Sequence, residues 1–264
     1  MKFHWMIRHE DTSPEGLKKA FAYINSFGYD SCMLTYHSRE NDMFIKLARA
    51  IDPDLPLKYI IAMRTYAISP EYLGLMVKGF EEIAKDKIMF NIVAGDLHAN
   101  ETSVEDVVDS SLLSTSQDRV KYTGLWLEKF TNLEILNGRL PKMFMSGTSK
   151  ATFDNCKNFN GGIMVMVDYY MENLEFLSKF DTRCVSLQIC IRDTDEEADE
   201  VKHANYEGDK LKWCYFYSED TLLKKIMDLK RNGVTDIMVT GLPFDPEVQR
   251  VHEFIKKNLE AFNG

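Results

Sequence analysis

The residues with the most specific chemical potential are Ser146–Ser149 (sequence SGTS), which join an apolar strand-like run to a helical pattern beginning near Lys150. Small hydroxyl residues and glycine at a helix start offer unpaired backbone N–H groups, hydroxyls and the positive end of the helix dipole. These are the elements of a phosphate-binding turn, although a plain turn with a capping serine has the same composition. Arg119 and Tyr122, three residues apart on the preceding predicted helix, would add a cation and a hydroxyl to the same anion.

A second group of candidates lies at the ends of two strands. Residues 57–96 are typical of a strand, a helix opened by Ser69-Pro70 and a second strand ending in Gly-Asp. This is a βαβ unit, because parallel strands need a crossover connection. Ligands of α/β barrels lie at the carboxyl ends of such strands. The chemistry is therefore expected around Arg64–Tyr66 and Ala94–His98.

Two further residues are candidates for contact with a ligand. His9 follows the first predicted strand, where a histidine is either a proton donor or ligand-positioning group, or a solvated loop residue. Gln188 alternates with Ser186 on the seventh predicted strand, so both side chains share one face. If that face lines the barrel mouth they are polar ligand contacts, and otherwise they are satisfied core polar groups.

Several other kinds of site find little support. The six histidines form neither HxH nor HExxH, and a lone Asp96-x-His98 pair at a strand end is weak evidence, so we predict no metal site. No GxSxG, Walker-type or GxGxxG motif occurs. The five cysteines are odd in number and lack CxxC spacing, which favours structural free thiols.

Composition narrows the environment and the partners. The net charge is −9 and the basic residues are scattered, so nucleic-acid binding is not expected. No run approaches the roughly 18 apolar residues of a membrane span. The first residues lack the apolar segment of a signal peptide, and we therefore expect a cytoplasmic protein that does not bind membranes.

Apolar strand-like runs alternate with helical patterns along the whole chain, which predicts a (β/α)8 TIM barrel forming a single domain over residues 1–264. A doubly wound open sheet is the alternative. The predicted strands are Phe3–Ile7, Ser31–Thr35, Leu57–Met63, Ile88–Ala94, Lys142–Ser146, Gly162–Val167, Val185–Ile191 and Asp236–Thr240. The predicted helices are Pro14–Ser26, Asp42–Ala50, Pro70–Lys85, Gln117–Leu133, Lys150–Asn158, Glu172–Lys179, Asp195–Ala204, Glu219–Asn232 and Pro246–Ala261.

Two stretches interrupt the alternation. Leu97–Ser116 is long and polar and follows the fourth strand, as a lid or a partly mobile loop would. Asn205–Tyr217 precedes the last predicted helix before the eighth strand, and its aromatic run predicts a short strand or an apolar lid.

Taken in order, these segments resemble the bacterial luciferase-like flavin monooxygenases, nearest the alkanesulfonate monooxygenase branch in a shortened form. The third strand ending in Ala-Met-Arg, the Asn-Ile-Val-Ala-Gly-Asp run, the helix with Asp118-Arg119-Val120-Lys121-Tyr122 and the SGTS turn follow that branch's order. The similarity is collinear across nearly the whole chain. The spacing of the Arg-Tyr helix differs by one residue.

The resemblance implies a (β/α)8 barrel that holds FMN, in its reduced form as co-substrate, at the carboxyl-end mouth. The implied phosphate contacts are Tyr122, Gly147, Thr148 and Ser149. The implied contacts of the isoalloxazine ring are Met63, Val93 and Ala94, with Arg64 beside them. His9 is implied as a substrate or proton-transfer residue, and Arg39 and Gln188 as contacts at the rim.

The resemblance also has departures. The branch has a cysteine where Ser38-Arg39-Glu40 stands, an Arg-x-His pair where Ser186-Leu187-Gln188 stands, and an arginine-bearing lid that finds no match. The loss of cations argues against a sulfonate substrate, because anion recognition needs paired donors.

These observations predict a monooxygenase that uses reduced FMN and O2 on a small organic substrate. The resemblance also implies a flavin reductase as a possible partner and a possible homodimer. The alternatives are a non-catalytic flavin-binding protein of the same fold and a deazaflavin-dependent oxidoreductase.

Overall fold

The computed structural model describes residues 1–7, 13–35, 43–94, 115–159, 161–205, 214–242 and 245–264. Its strands are β1 Lys2–Met6, β2 Ser31–Thr35, β3 Lys58–Met63, β4 Ile88–Val93, β5 Lys142–Ser146, β6 Gly162–Met166, β7 Arg183–Arg192, β8 Cys214–Ser218 and β9 Asp236–Gly241. Its α-helices are α1 Pro14–Ser26, α2 Met43–Ala50, α3 Pro70–Ile83, α4 Ser116–Thr131, α5 Lys150–Asn158, α6 Val167–Glu172, α7 Leu174–Leu177, α8 Asp195–Asn205, α9 Glu219–Arg231 and α10 Val248–Asn263. Short 3₁₀-helices cover Thr65–Ala67 and Glu134–Leu136.

The sheet closes on itself as a parallel barrel. Strands β1 to β6 pair in chain order, β6 pairs with β7, β7 pairs with β9, and β9 pairs back with β1. The eighth position of the barrel is therefore taken by β9. The predicted (β/α)8 barrel is confirmed, and the open-sheet alternative is excluded because an open sheet would leave two strands without a second neighbour.

The additional strand β8 extends the barrel beside β7. The lower half of β7 pairs with β6 through Met166, whereas its upper half pairs with β8 from Gln188↔Cys214 onward. Gln188 pairs with β9 on one edge of β7 and with β8 on the other. Strand β8 therefore continues along the edge of β7 that pairs with β6 lower in the barrel. This continued pairing explains why β7 has ten residues, longer than predicted. The short strand expected within Asn205–Tyr217 is confirmed at Cys214–Ser218, while residues 206–213 lie outside the described part.

One predicted helix is correct only in part, since α7 lies within the predicted range but a separate helix precedes it. A helix was expected over Glu172–Lys179, but α6 begins directly after β6 at Val167, and the separate α7 follows. Met166 at the N-cap makes no side-chain hydrogen bond, so the usual Ser, Thr or Asp signal of a helix start is missing. The buried Val167 extends the apolar pattern of the strand into the helix, and the boundary is hidden in the sequence.

The remaining differences concern element ends. Strand β3 begins at Lys58 rather than Leu57, β4 ends at Val93, so that Ala94 follows the strand, and α10 begins at Val248 rather than Pro246.

The barrel separates two apolar cores. The interior core is small and rich in sulfur-bearing side chains: Met6, Met33, Ile60, Ala62, Met89, Phe144, Met164, Cys184 and Met238. The larger core lies between the strands and the surrounding helices and contains the alternate strand residues, such as Phe3 and Trp5 of β1. This period of two assigns each strand residue to the interior or to the helix-facing side.

A buried polar network lies at the amino end of the barrel. The His4 ring bonds Ser31 Oγ through Nδ1 (2.7 Å) and Asp236 Oδ1 through Nε2 (2.9 Å), and Lys142 Nζ lies 3.4 Å from the same carboxylate oxygen. The order of groups is that of a hydrolytic triad, but Ser31 is fully buried at the end of the barrel opposite the mouth. The network therefore joins β1, β2, β5 and β9 and has a structural role.

His252 of α10 is buried against α1, and its burial predicts that the stability of the protein falls in mild acid. Burial lowers the pKa of His252 to about 4, against the opposing charge of Glu253. The unfolded chain takes up this proton near pH 6.5, so the stabilisation is complete above that pH and is lost as the pH falls toward 4. We expect a loss of about 3 kcal/mol over this window from this group. Urea unfolding at several pH values measures it. A His252→Leu variant whose free energy of unfolding depends on pH in the same way as that of the wild type would contradict the assignment.

Candidate functional site

The wall formed by β3 and β4 carries the residues expected to contact the ring. Ala62 belongs to the interior core, whereas Met63 packs in the helix-facing core and is 2% exposed. Any contact of Met63 with a ligand in the mouth is therefore through its main chain. Val93 is half-buried, shares the interior-facing register of Asn91 and lies opposite Ser146, while Ala94 is buried just beyond the strand.

Arg64 leaves the barrel at the same height. It is half-buried, extended and directly precedes the 3₁₀ turn Thr65–Ala67. Its position after the last residue of β3 places this cation at the carboxyl-end rim, as the sequence predicts for a strand end.

The SGTS turn has the geometry of a tight approach to a helix start. Gly147 has φ +144°, and a Cβ there would lie 3.0 Å from Thr152 Oγ1, so a side chain would be strained. Ser149 caps α5 by accepting from the Thr152 N–H at 3.2 Å, and its Oγ lies 2.9 Å from Thr152 Oγ1. Thr148 and Ser149 are exposed. When Thr152 Oγ1 is the donor of that last bond, the Ser149 hydroxyl proton remains available to a ligand.

Asn91 positions the first residue of this turn and was not singled out by the sequence analysis. Ser146 Oγ donates to Asn91 Oδ1 at 2.8 Å across the β4–β5 pair, and Asn91 Nδ2 lies 3.7 Å from Met33 Sδ. Asn91 is 3% exposed. The available signal was a polar residue at an interior-facing position of an otherwise apolar strand.

Helix α4 contacts both the 3₁₀ turn after β3 and helix α5. Thr123 Oγ1 bonds Thr65 Oγ1 at 2.8 Å, and Asn155 of α5 donates to the Val120 carbonyl at 3.2 Å. Asn155 is six residues beyond Ser149, about 9 Å along the helix. Val120 is therefore level with the second turn of α5, and the half-buried Tyr122 follows it.

Arg119 and Tyr122, the two residues of α4 that were predicted to contact the anion, differ in exposure. Arg119 is 7% exposed, and its carbonyl accepts from Thr123 Oγ1 at 2.9 Å. Tyr122 packs against the helix-facing core. The structure thus places both residues on α4, which contacts α5 through Asn155 and the Val120 carbonyl.

Gln188 is buried by strand β8 and helix α8. It is 4% exposed and accepts from the Cys214 thiol, its register partner on β8, at 3.0 Å. Cys190, Ala198, Phe216 and Leu242 form an apolar cluster against which Cys214 packs. Because Ala198 belongs to α8, this helix covers the inner face of the upper half of β7.

The other predicted residues cannot be placed. His9 and Arg39 lie outside the described residues, as does most of Leu97–Ser116. Within the described ranges no group of three His, Cys, Asp or Glu side chains could hold a metal ion. Nor does any helix in those ranges have the length and apolarity to span a membrane.

The architecture is similar to that of several solved structures. EDTA monooxygenase from Chelativorans sp. BNC1 superimposes with a TM-score of 0.74 at 11% identity, over 100% of this chain and 94% of that chain. The chain has the luciferase-like barrel fold. The oxygenating constituent of 3,6-diketocamphane monooxygenase from Pseudomonas putida, solved in complex with FMN, gives a TM-score of 0.69 at 14% identity over 98% and 96% of the two chains.

Another similar structure is named for a different cofactor. The coenzyme F420-dependent tetrahydromethanopterin reductase from Methanopyrus kandleri matches with a TM-score of 0.66 at 12% identity over 99% of each chain. No family model matches the sequence, and no curated protein matches it. At these identities the likeness establishes the luciferase-like fold of the chain.

Proposed function

We propose that this protein is a monooxygenase that uses reduced FMN and O2 on a small organic substrate. The observation that carries the proposal is the pairing of an open helix start at Ser146–Ser149 with an apolar wall, Ala62 and Val93, at one mouth of a luciferase-like barrel. An anionic group suits the first, since backbone N–H groups and the helix dipole favour negative charge there. A flat apolar ring suits the second.

The residues present fit FMN. Gly147 keeps the turn free of a Cβ, and the exposed Thr148 and Ser149 supply hydroxyls for its phosphate, with Tyr122 on the adjacent helix as an outer hydroxyl. Ala62, the main chain of Met63, Val93 and Ala94 would bound the ring, and Arg64 would lie at its rim. When bound and reduced, the flavin supplies the electrons that activate O2.

The protein's own part is positioning and exclusion of water. Asn91 fixes the hydroxyl of Ser146 in the mouth, and α8 covers the side of β7 that carries Gln188. Gln188 would act as a positioned amide at the covered side. His9 belongs to this proposal as a substrate or proton-transfer residue, and Arg39 as a contact at the rim. Excluding water from such a mouth protects a reactive reduced cofactor.

Two other functions remain in competition with this one. A deazaflavin-dependent oxidoreductase is favoured by the F420-dependent neighbours, and a non-catalytic flavin-binding protein is the third candidate. We propose a flavin reductase as the partner that delivers reduced FMN, and residues 1–264 as one functional domain.

Titration of the purified chain with FMN, reduced FMN, riboflavin and F420 tests the proposal, followed by mixing the reduced complex with O2 in a stopped-flow spectrometer. We expect micromolar or tighter affinity for reduced FMN, and reoxidation kinetics that differ from those of free reduced FMN. Preferred binding of F420 would replace the proposal with the deazaflavin alternative. Binding of FMN with oxidation kinetics identical to those of the free cofactor would favour the binding protein.

A further inference from the structure

Tyr169 of α6 reaches the SGTS turn from a neighbouring element. Its hydroxyl donates to the Thr148 carbonyl at 3.1 Å. It is half-buried and was not marked by any motif in the sequence, because it lies in the segment where the helix start was mispredicted. The hydrogen bond from this hydroxyl is a side-chain contact from α6 to the turn.

The Tyr169 ring packs against α5, and the main chain of Tyr169 is fixed within α6. The ring stacks on Phe153 of α5, with ring centroids 6.2 Å apart and planes inclined by 25°, and Phe153 is 3% exposed. The Tyr169 carbonyl accepts from Asn173 Nδ2 at 2.8 Å, which fixes the end of α6. The hydroxyl therefore approaches Thr148 from a ring with little freedom to move.

The consequence for the turn follows from the planar peptide group. In a trans peptide the carbonyl and the following N–H point in opposite directions. Because the Thr148 carbonyl is held toward Tyr169, the N–H of Ser149 points to the other side. This N–H belongs to the N-cap residue of α5, where the intrahelical ladder provides no acceptor.

We propose that Tyr169 is a positioning residue for the phosphate of the bound flavin. It sets the orientation of the Thr148–Ser149 peptide so that the Ser149 N–H joins the donors at the start of α5. Tyr169 acts through the peptide and does not touch the ligand. The inference rests on the proposed function, since it assigns the phosphate of FMN to this turn.

The neighbouring Tyr170 provides a matched control. Its hydroxyl also donates to a main-chain carbonyl, that of Asn232 at 3.0 Å, but Asn232 ends α9 and is not part of the turn. Tyr169→Phe and Tyr170→Phe each remove one hydroxyl and one hydrogen bond to a carbonyl from adjacent residues. A general effect on folding would appear in both variants, whereas an effect on phosphate recognition would appear in the first alone.

The test measures FMN and riboflavin affinities of the full chain by fluorescence quenching, with the thermal midpoint of each variant recorded as a check of folding. We expect Tyr169→Phe to weaken FMN binding about fivefold and to leave riboflavin binding within about twofold. Tyr170→Phe should leave the ratio of the two affinities unchanged. An unchanged ratio in Tyr169→Phe, or equal losses for both ligands, would overturn the inference. If the wild-type chain itself does not prefer FMN to riboflavin, the proposed phosphate site is wrong, and the inference falls with it.

Discussion

Replacing Asp236 with alanine is expected to lower the free energy of unfolding by about 3–5 kcal/mol. The carboxylate is almost fully buried at the amino end of the barrel and accepts hydrogen bonds from His4, Lys142 and Thr235. Its removal leaves the His4 ring nitrogen buried without an acceptor. Because His4, Lys142 and Asp236 lie on β1, β5 and β9, the loss acts on the closure of the barrel. Chemical denaturation at pH 7 measures it.

The same carboxylate predicts how the effect changes with pH. Burial opposes ionisation of Asp236, but the hydrogen bond and charge of His4 and the charge of Lys142 outweigh it and hold the pKa well below its usual range. The stabilisation is therefore complete above the unfolded pKa of about 3.9 and declines as the pH falls below it. The difference between wild type and Asp236→Ala should shrink in that acidic range.

Two further variants separate the network from a simple loss of volume. Lys142→Met removes the more exposed partner and should cost about 1 kcal/mol or less. The double variant His4→Leu/Asp236→Leu removes the buried carboxylate together with its ring partner and leaves only the smaller Ser31 hydroxyl without its bond to His4, so we expect it to be more stable than Asp236→Ala. A double variant that loses the sum of both single effects would contradict the role of the network.

Replacing Ser149 with alanine is expected to weaken FMN binding about tenfold or more and to leave riboflavin binding nearly unchanged. The hydroxyl is a proposed donor to the phosphate, and a hydrogen bond to a charged group contributes about 1.5–3 kcal/mol. Since 1.4 kcal/mol is a factor of ten, the loss is measurable by titration. Riboflavin lacks the phosphate and reports the remaining contacts.

Ser149 also caps α5, so the variant needs a control for the loss of the cap. Ser69 caps α3 in the same way, because it accepts from the Tyr72 N–H at 3.2 Å and is exposed. Each alanine variant should lower stability by about 1 kcal/mol. The selective loss of FMN should appear in Ser149→Ala alone. Equal losses in both variants would mean that helix stability, and not the phosphate contact, sets the affinity.

The alternation of strands and helices was readable from the sequence because buried parallel strands are apolar nearly throughout and the helices carry capping signals. Ser13-Pro14 and Ser69-Pro70 opened helices where expected. The prediction failed at Val167, where β6 passes into α6 without a polar cap. The length of β7 was also missed, because its upper half is buried by pairing with β8, a contact distant in sequence.

The candidate site divides in the same way. The turn at Ser146–Ser149 and the strand ends at Arg64 and Val93 could be found in the sequence, since each is marked by local residue types next to a strand. The side of the strand that Met63 faces could not be found in this way: its side chain packs in the helix-facing core, and a shift of one residue moves a side chain to the opposite side of a strand. Asn91 and Tyr169 were missed because each gains its meaning from a partner on another element.

The sequence by itself determined a (β/α)8 barrel with its candidate chemistry at the carboxyl ends of the strands, because periodicity, helix caps and strand order are local properties. The tertiary structure decided the rest. It decided that β9 closes the barrel and that β8 and α8 cover Gln188. It also decided that the Ser31–His4–Asp236 group lies at the amino end of the barrel and that Tyr169 contacts the Ser146–Ser149 turn. Each of these depends on contacts between segments far apart in the chain, and no local pattern encodes which of those segments will meet.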